Sequence, residues 1–171
     1  MNTTTHARFI APVPTPLGHM LAVVDGGGAL VALDFDARTS PHKDLPPDER
    51  RARKVLDELS RYFAGELTEF TLALAPEGTE FQKRVWAELV RIPYGQTTSY
   101  SELARRIDAP AAVRAVGSAN GANPLPIVVP CHRVIGADGT LTGYAGGLER
   151  KRALLALEAR FSGRPVQLAL A

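Results

Sequence analysis

Chemistry in this chain can start at few places, and the first is its single cysteine. Cys131 stands in the run PCHRV, directly before His132 and Arg133. A thiol near basic or cationic groups gives up its proton more readily, and the thiolate is the nucleophile. A free cysteine also packs well as a small apolar residue, so its surroundings must decide between the two roles. In an extended chain adjacent side chains diverge, so a Cys131–His132 partnership needs a local turn or a bridging water. One cysteine cannot form an internal disulfide. With four scattered histidines and neither a CxxC nor an HxxxH pair, no zinc site is expected.

A third group comes from the run GGLERKRALLALEARF, which has helical spacing. Leu148, Leu154 and Leu155 mark an apolar face, and Glu158 falls on that same face, four residues after Leu154. A carboxylate there either reaches solvent at the rim or is paired. Paired with His132, it completes a nucleophile, base and carboxylate series. Between Cys131 and this helix lies GYAGG, residues 143–147, whose glycines suit either a simple turn or a loop lining a pocket.

These groups must be positioned by the elements before them. HMLAVVD and ALVALDFD read as short strands separated by Gly26, Gly27 and Gly28, and SPHKDLPPDER reads as a loop. A helix is expected from Asp48 to Ala64, with Leu56, Leu59 and Phe63 inward and Gly65 as its stop. A lobe boundary falls near Pro76 to Gly78. Thr79 and Gln82 then form a capping box ahead of Phe81, Val85, Trp86 and Leu89 on one helical face. Ser99 and Glu102 form another S-x-x-E capping box, which announces a helix that buries Leu103, Ala104 and Ile107 and ends at DAP.

Pro110 suits the first turn of a following helix, AAVRAVGSANG, so a tight turn joins two short helices in helix-turn-helix outline. In the second, Val113 and Val116 are expected to face the core. Ala111, Ala115 and Ser118 make a stripe of small residues with Arg114 beside it. Such a stripe serves tight helix packing or close approach to a nucleic-acid groove. The run IVV between Pro126 and Pro130 is expected to be a buried extended segment that delivers Cys131 to a fixed place.

The net charge of +2 conceals an asymmetry. Residues 1–78 carry 8 Lys and Arg against 11 Asp and Glu, whereas residues 79–171 carry 12 against 7. The basic half holds the cysteine, which suits a polyanionic partner. No apolar stretch approaches the roughly 20 residues that span a bilayer, and prolines interrupt the start where a signal peptide would be apolar. A cytoplasmic protein is expected.

Taken together, FQKRVWAELVRIPYGQTTSYSELA, RAVGSANGANP, IVVPCHRVIG and LTGYAGGLERKRALLALE resemble one family over residues 79–158: the O6-alkylguanine-DNA alkyltransferases, or methylated-DNA-protein cysteine methyltransferases. TPLG and YFAGELTEF resemble its bacterial members more loosely. The resemblance implies an α/β protein with a ribonuclease H-like N-terminal lobe (1–78) and a helical C-terminal lobe of winged-helix type (79–171). It implies that Cys131 accepts an alkyl group from O6 of guanine, and from O4 of thymine, irreversibly and once. His132 then acts through water as the base and Glu158 orients it. Tyr100 donates a proton to the guanine ring and helps turn out the nucleotide. Arg114 enters the stack in place of the flipped base, with Ala111, Ala115 and Ser118 against the DNA. Asn123 ties the helix-turn-helix to the active-site segment. Val134, Tyr144, Ala145 and Gly146 shape the pocket; a serine is frequent in the family where Ala145 stands, and the backbone N–H there is what should reach O6.

The implied partner is double-stranded DNA carrying alkylated bases, met without cofactor or metal by a protein that is monomeric in solution, with cooperative binding along DNA left open. Some members hold zinc in the N-terminal lobe, which a chain with one cysteine does not provide for. Two other readings compete: a DNA-binding sensor of alkylated bases, whose relatives lack the acceptor cysteine, and a cysteine hydrolase built on Cys131 and His132.

Overall fold

The structure is a computed structural model that describes residues 6–163. Among these residues the backbone divides into two compact units, with the boundary between Glu77 and Gly78. Among the described residues no helix is long and apolar enough to cross a membrane.

The first unit is built on an antiparallel sheet in the order β1 (Arg8–Thr15), β2 (Gly18–Asp25), β3 (Leu30–Asp34). Strands β2 and β3 lie where the apolar runs place them. Strand β1, with Pro12 and Pro14, was not expected, and backbone parity explains how it forms. Ile10 donates its N–H outward to the Pro46 carbonyl (3.0 Å) and accepts from Asp48 (3.0 Å), so residues 10, 12 and 14 face away from β2. Both prolines therefore sit on the outer side of an edge strand, where no ladder donor is lost. Ile10, Leu21, Val23, Val31 and Ala32 form a buried apolar cluster of this unit.

Helix α1 (Arg53–Phe63) starts later than Asp48, because Asp48 caps a turn by accepting from the Arg51 N–H (3.1 Å). Its buried stripe is Val55, Glu58, Leu59 and Tyr62, which leaves Leu56 and Phe63 half-buried. Glu58 belongs to that stripe because its carboxylate accepts from the N–H (2.9 Å) and hydroxyl of Thr71. The stop at Gly65 is as expected. Gly65 has φ 77°, and its N–H and that of Glu66 return to the carbonyls of Tyr62 and Arg61.

The second unit opens with α2 (Glu80–Val90), whose capping box joins Thr79 and Gln82 in both directions. It buries Val85, Trp86 and Leu89 and leaves Phe81 half-buried. β4 (Thr98–Ser99) leads into α3 (Tyr100–Arg106), which Ser99 caps by accepting from the Glu102 N–H (3.1 Å). Only this half of the expected Ser99–Glu102 box forms, because the Glu102 carboxylate pairs with Arg105 and Arg106 instead. The turn after α3 places Asp108 at φ 58°, a conformation short polar side chains tolerate, and the N–H groups of Asp108 and Ala109 close the helix end.

Helix α4 (Val113–Gly121) begins three residues after Pro110, so Pro110 and Ala111 lie in the connecting turn and not in a first helical turn. Val116 is buried as expected, but Val113 is 36% exposed, because the late start turns it outward. The indole N–H of Trp86 donates to the Ala119 carbonyl (2.8 Å) and so locks α4 to α2.

The segment before Cys131 is buried but not extended. Leu125, Ile127, Val128 and Val129 are all nearly inaccessible, yet the chain turns there: Val129 donates to the Leu125 carbonyl (2.8 Å) and Ile127 has φ 75°. A β-branched residue in that region costs about 1–3 kcal/mol, which the surrounding core must hold in place. Cys131–Arg133 then form one 3-10 turn, followed by β5 (Val134–Ile135) and, further on, α5 (Leu148–Ser162).

Candidate active site

A two-residue parallel ladder organises the site. β4 pairs with β5 so that Thr98 faces Val134 and Ser99 faces Ile135. Tyr100 follows β4 directly, and the Cys131–Arg133 turn precedes β5 directly. The ladder therefore registers the first residue of α3 against the cysteine turn. The turn also gives Cys131 and His132 the local bend that an extended chain would deny them.

α5 supplies the remaining groups through one stripe: Lys151, Leu154, Leu155 and Glu158 are its buried residues. Leu148, expected on this face, is instead 44% exposed, and Lys151 takes the inward position. The Glu158 carboxylate is bound by His132 through Nε2 (2.8 Å) and by Arg133 through Nε (2.9 Å) and a terminal nitrogen (2.7 Å). Arg133 also donates to the Ile92 carbonyl (2.7 Å). Burial alone would raise the Glu158 pKa, but His132 and Arg133 outweigh it and hold the carboxyl well below the ordinary range.

That fixes the histidine tautomer. An ionised Glu158 only accepts, so His132 Nε2 carries the hydrogen. Burial depresses the His132 pKa, although Glu158 opposes this, and the resting ring is neutral. Its lone pair then sits on Nδ1, which is buried and has no hydrogen-bond partner in the structure. Nδ1 is therefore the basic position of the ring.

The thiol departs from the sequence expectation. Cys131 is 5% exposed, and burial pushes its pKa up, against the lowering effects of an Asn123 hydrogen bond and the Lys151 charge. The resting group is therefore a thiol that needs a base, not a standing thiolate. Asn123 donates to the Val129 carbonyl (2.8 Å) and accepts from the Leu125 N–H (2.9 Å), so it binds the end of α4 to the cysteine segment. Asn120 adds a long bond to the Cys131 carbonyl (3.4 Å).

Lys151 is the group that sequence reasoning missed. Its Nζ is wholly buried and donates to the carbonyls of Val134 (2.6 Å) and Thr142 (2.8 Å). Burial lowers its pKa to about 8, with the neighbouring Cys131 opposing. The signal was present, since Lys151 precedes Leu154, Leu155 and Glu158 at helical spacing, but a lysine reads as solvated. The Tyr100 hydroxyl donates to the same Thr142 carbonyl (3.2 Å).

Other expected site residues separate into two places. Val134 is fully buried in β5, Tyr144 is half-buried with its hydroxyl inside, and Ala145 and Gly146 lie in the 143–147 loop. Ala111, Arg114, Ala115 and Ser118 are all exposed, in the turn and on the outer face of α4. No acidic residue and no side-chain cap occupies the start of that helix.

Fold and site together define a mixed α/β protein whose only cysteine shares a buried turn with a histidine that a carboxylate of α5 holds. Residues 80–160 match the family described as 6-O-methylguanine DNA methyltransferase, DNA binding domain. A methylated-DNA–protein-cysteine methyltransferase of Methanosarcina barkeri is 48% identical over 150 residues, covering 85% of this chain and 94% of that protein. One from Mycobacterium tuberculosis is 62% identical over 112 residues, covering 66% and 68%. The crystal structure of the Mycobacterium tuberculosis O6-methylguanine methyltransferase superposes with a TM-score of 0.83 at 48% identity, covering 94% of this chain and 96% of that one. A structure of the M. tuberculosis protein in complex with DNA gives 0.83 at 50% identity, covering 90% and 94%. The chain belongs to the methylated-DNA–protein-cysteine methyltransferase family.

Proposed function

We propose that this protein repairs DNA by moving an alkyl group from O6 of guanine, and from O4 of thymine, to Sγ of Cys131, once per molecule. The observation that carries the reading is the Glu158–His132 bond, which leaves Nδ1 as the basic position of a buried histidine that follows the only cysteine in the same turn. His132, acting through water, takes the thiol proton. The thiolate attacks the alkyl carbon in line: a C–S bond forms, the C–O bond breaks, and the electron pair passes to the guanine ring. Tyr100 gives that ring a proton and regains one from the imidazolium through solvent. Summed, the thiol proton has moved to guanine and the alkyl group to sulfur. Lys151 stabilises the passing thiolate. Among the side chains at the site none is placed to cleave a thioether, so turnover stops at one.

The alkyl carbon lies inside the duplex, so the nucleotide must leave the stack at a cost of about a few kcal/mol. Arg114 fills the gap while Ala111, Ala115 and Ser118 let α4 approach the DNA closely. The exposed, uncapped start of α4 and the basic balance of residues 79–171 support this placement. In this reading the first unit is ribonuclease H-like, the second is of winged-helix type, and the protein acts as a monomer. Asn123, Val134, Tyr144, Ala145 and Gly146 shape the alkyl pocket.

The test is a titration of protein against excess duplex containing O6-methylguanine. Repair equal to the protein concentration and then none is expected; continuing turnover would overturn the acceptor mechanism.

A further inference from the structure

Loop 143–147 is bounded by glycines with positive φ, Gly143 at 39° and Gly147 at 89°. A Cβ built on either would meet no atom within 4 Å, so packing does not fix these ends. Hydrogen bonds do. Just before the loop, the Thr142 carbonyl accepts from Tyr100 and Lys151. Inside it, Gly147 donates to the Tyr144 carbonyl (2.9 Å). At its far end, Arg150 donates from a guanidinium nitrogen to the Gly146 carbonyl (3.1 Å). Arg150 and Lys151 are adjacent on α5, so the first turn of one helix grips both ends of the loop. The Arg150 charge also lies close enough to act on the Tyr144 phenol, opposing the effect of its burial.

We propose that Arg150 is a positioning residue for specificity: its hold on Gly146 keeps the loop in place and makes the pocket favour methyl over bulkier alkyl groups. Resting on the proposed alkyl transfer, this assigns Arg150 a role that the reaction chemistry does not require. With the bond removed, Gly143 and Gly147 act as pivots, and the loop yields to a larger group while aligning methyl less well.

The experiment compares single-turnover transfer from duplexes carrying O6-methylguanine and O6-benzylguanine, for wild type, Arg150→Met and Arg150→Lys. Methionine keeps the length without a donor, whereas lysine keeps a donor and the charge. In Arg150→Met the benzyl-to-methyl rate ratio should rise about threefold to tenfold, the net worth of one hydrogen bond. Arg150→Lys should lie between, and it carries the test alone if the methionine variant does not fold. A ratio equal to wild type in the folded variants, with both rates falling together, would overturn the proposal. Failure of wild type to transfer either group would instead overturn the reading beneath it.

Discussion

The two units bury different things. Among the described residues of the first, Glu58 is the only buried side chain that carries a formal charge, and it is satisfied by one threonine. The second buries Arg133, Lys151 and Glu158 together with His132 and Cys131. Taking a charge out of water costs several kcal/mol even after relaxation, and apolar side chains of similar volume are often at least as stable. A core serving stability alone would resemble the first unit. The second keeps ions where they set one tautomer and one nucleophile, so its buried charges point to chemistry.

The largest break in this contrast should come from Glu158→Gln. It leaves Arg133 buried without its counter-ion, which costs about 3–5 kcal/mol, and a thermal or urea melt reads that loss. The folded-state pKa of Glu158 is depressed, so its stabilisation is complete above the ordinary carboxylate range and is lost as pH falls through the lowered value. The wild-type stability curve should therefore fall in acid more steeply than that of the variant. The variant should also need a higher pH to react; an unmoved pH–rate profile would make Glu158 a packing residue only.

Ala115→Glu sets bulk and negative charge on the outer face of α4. DNA binding should be lost while the melt stays unchanged; wild-type affinity in a gel-shift titration would remove that face from the interface. Tyr100→Phe keeps the ring without its proton, and single-turnover transfer should slow by about 10²-fold or more. A wild-type rate would take Tyr100 out of the mechanism. Arg114→Ala should impair repair of duplex far more than reaction with free O6-benzylguanine, since only the duplex needs flipping. Equal losses would refute that role. The smallest effect belongs to Glu58→Gln, which retains an acceptor for Thr71: a stability change of about 1 kcal/mol or less, with no change in transfer rate. A loss of activity there would erase the distinction between the units.

Much of the second unit was legible because its signals are local. The Thr79–Gln82 box and the Ser99 cap are decided by neighbours in sequence, and Glu158 stood out as a carboxylate on an apolar face. What escaped depended on distant partners. Pro12 and Pro14 obscure β1 unless the contacts of Ile10 with residues 46–48 are known. Leu148 and Lys151 exchange roles because two backbone carbonyls await an ammonium inside. Ile127 turns with positive φ because a packed core holds it, which no propensity foresees. The thiol was expected to be acidic from its neighbours, but burial outweighs them.

The central claim, that the buried base serves one irreversible alkylation of Cys131, is tested most directly by intact mass. The protein is incubated with a duplex containing a single O6-methylguanine, weighed whole, then digested and mapped. The account predicts that every active molecule gains the mass of one methylene and that the modification sits on Cys131. An unmodified protein beside repaired DNA, or a methyl group on any other residue, would contradict it.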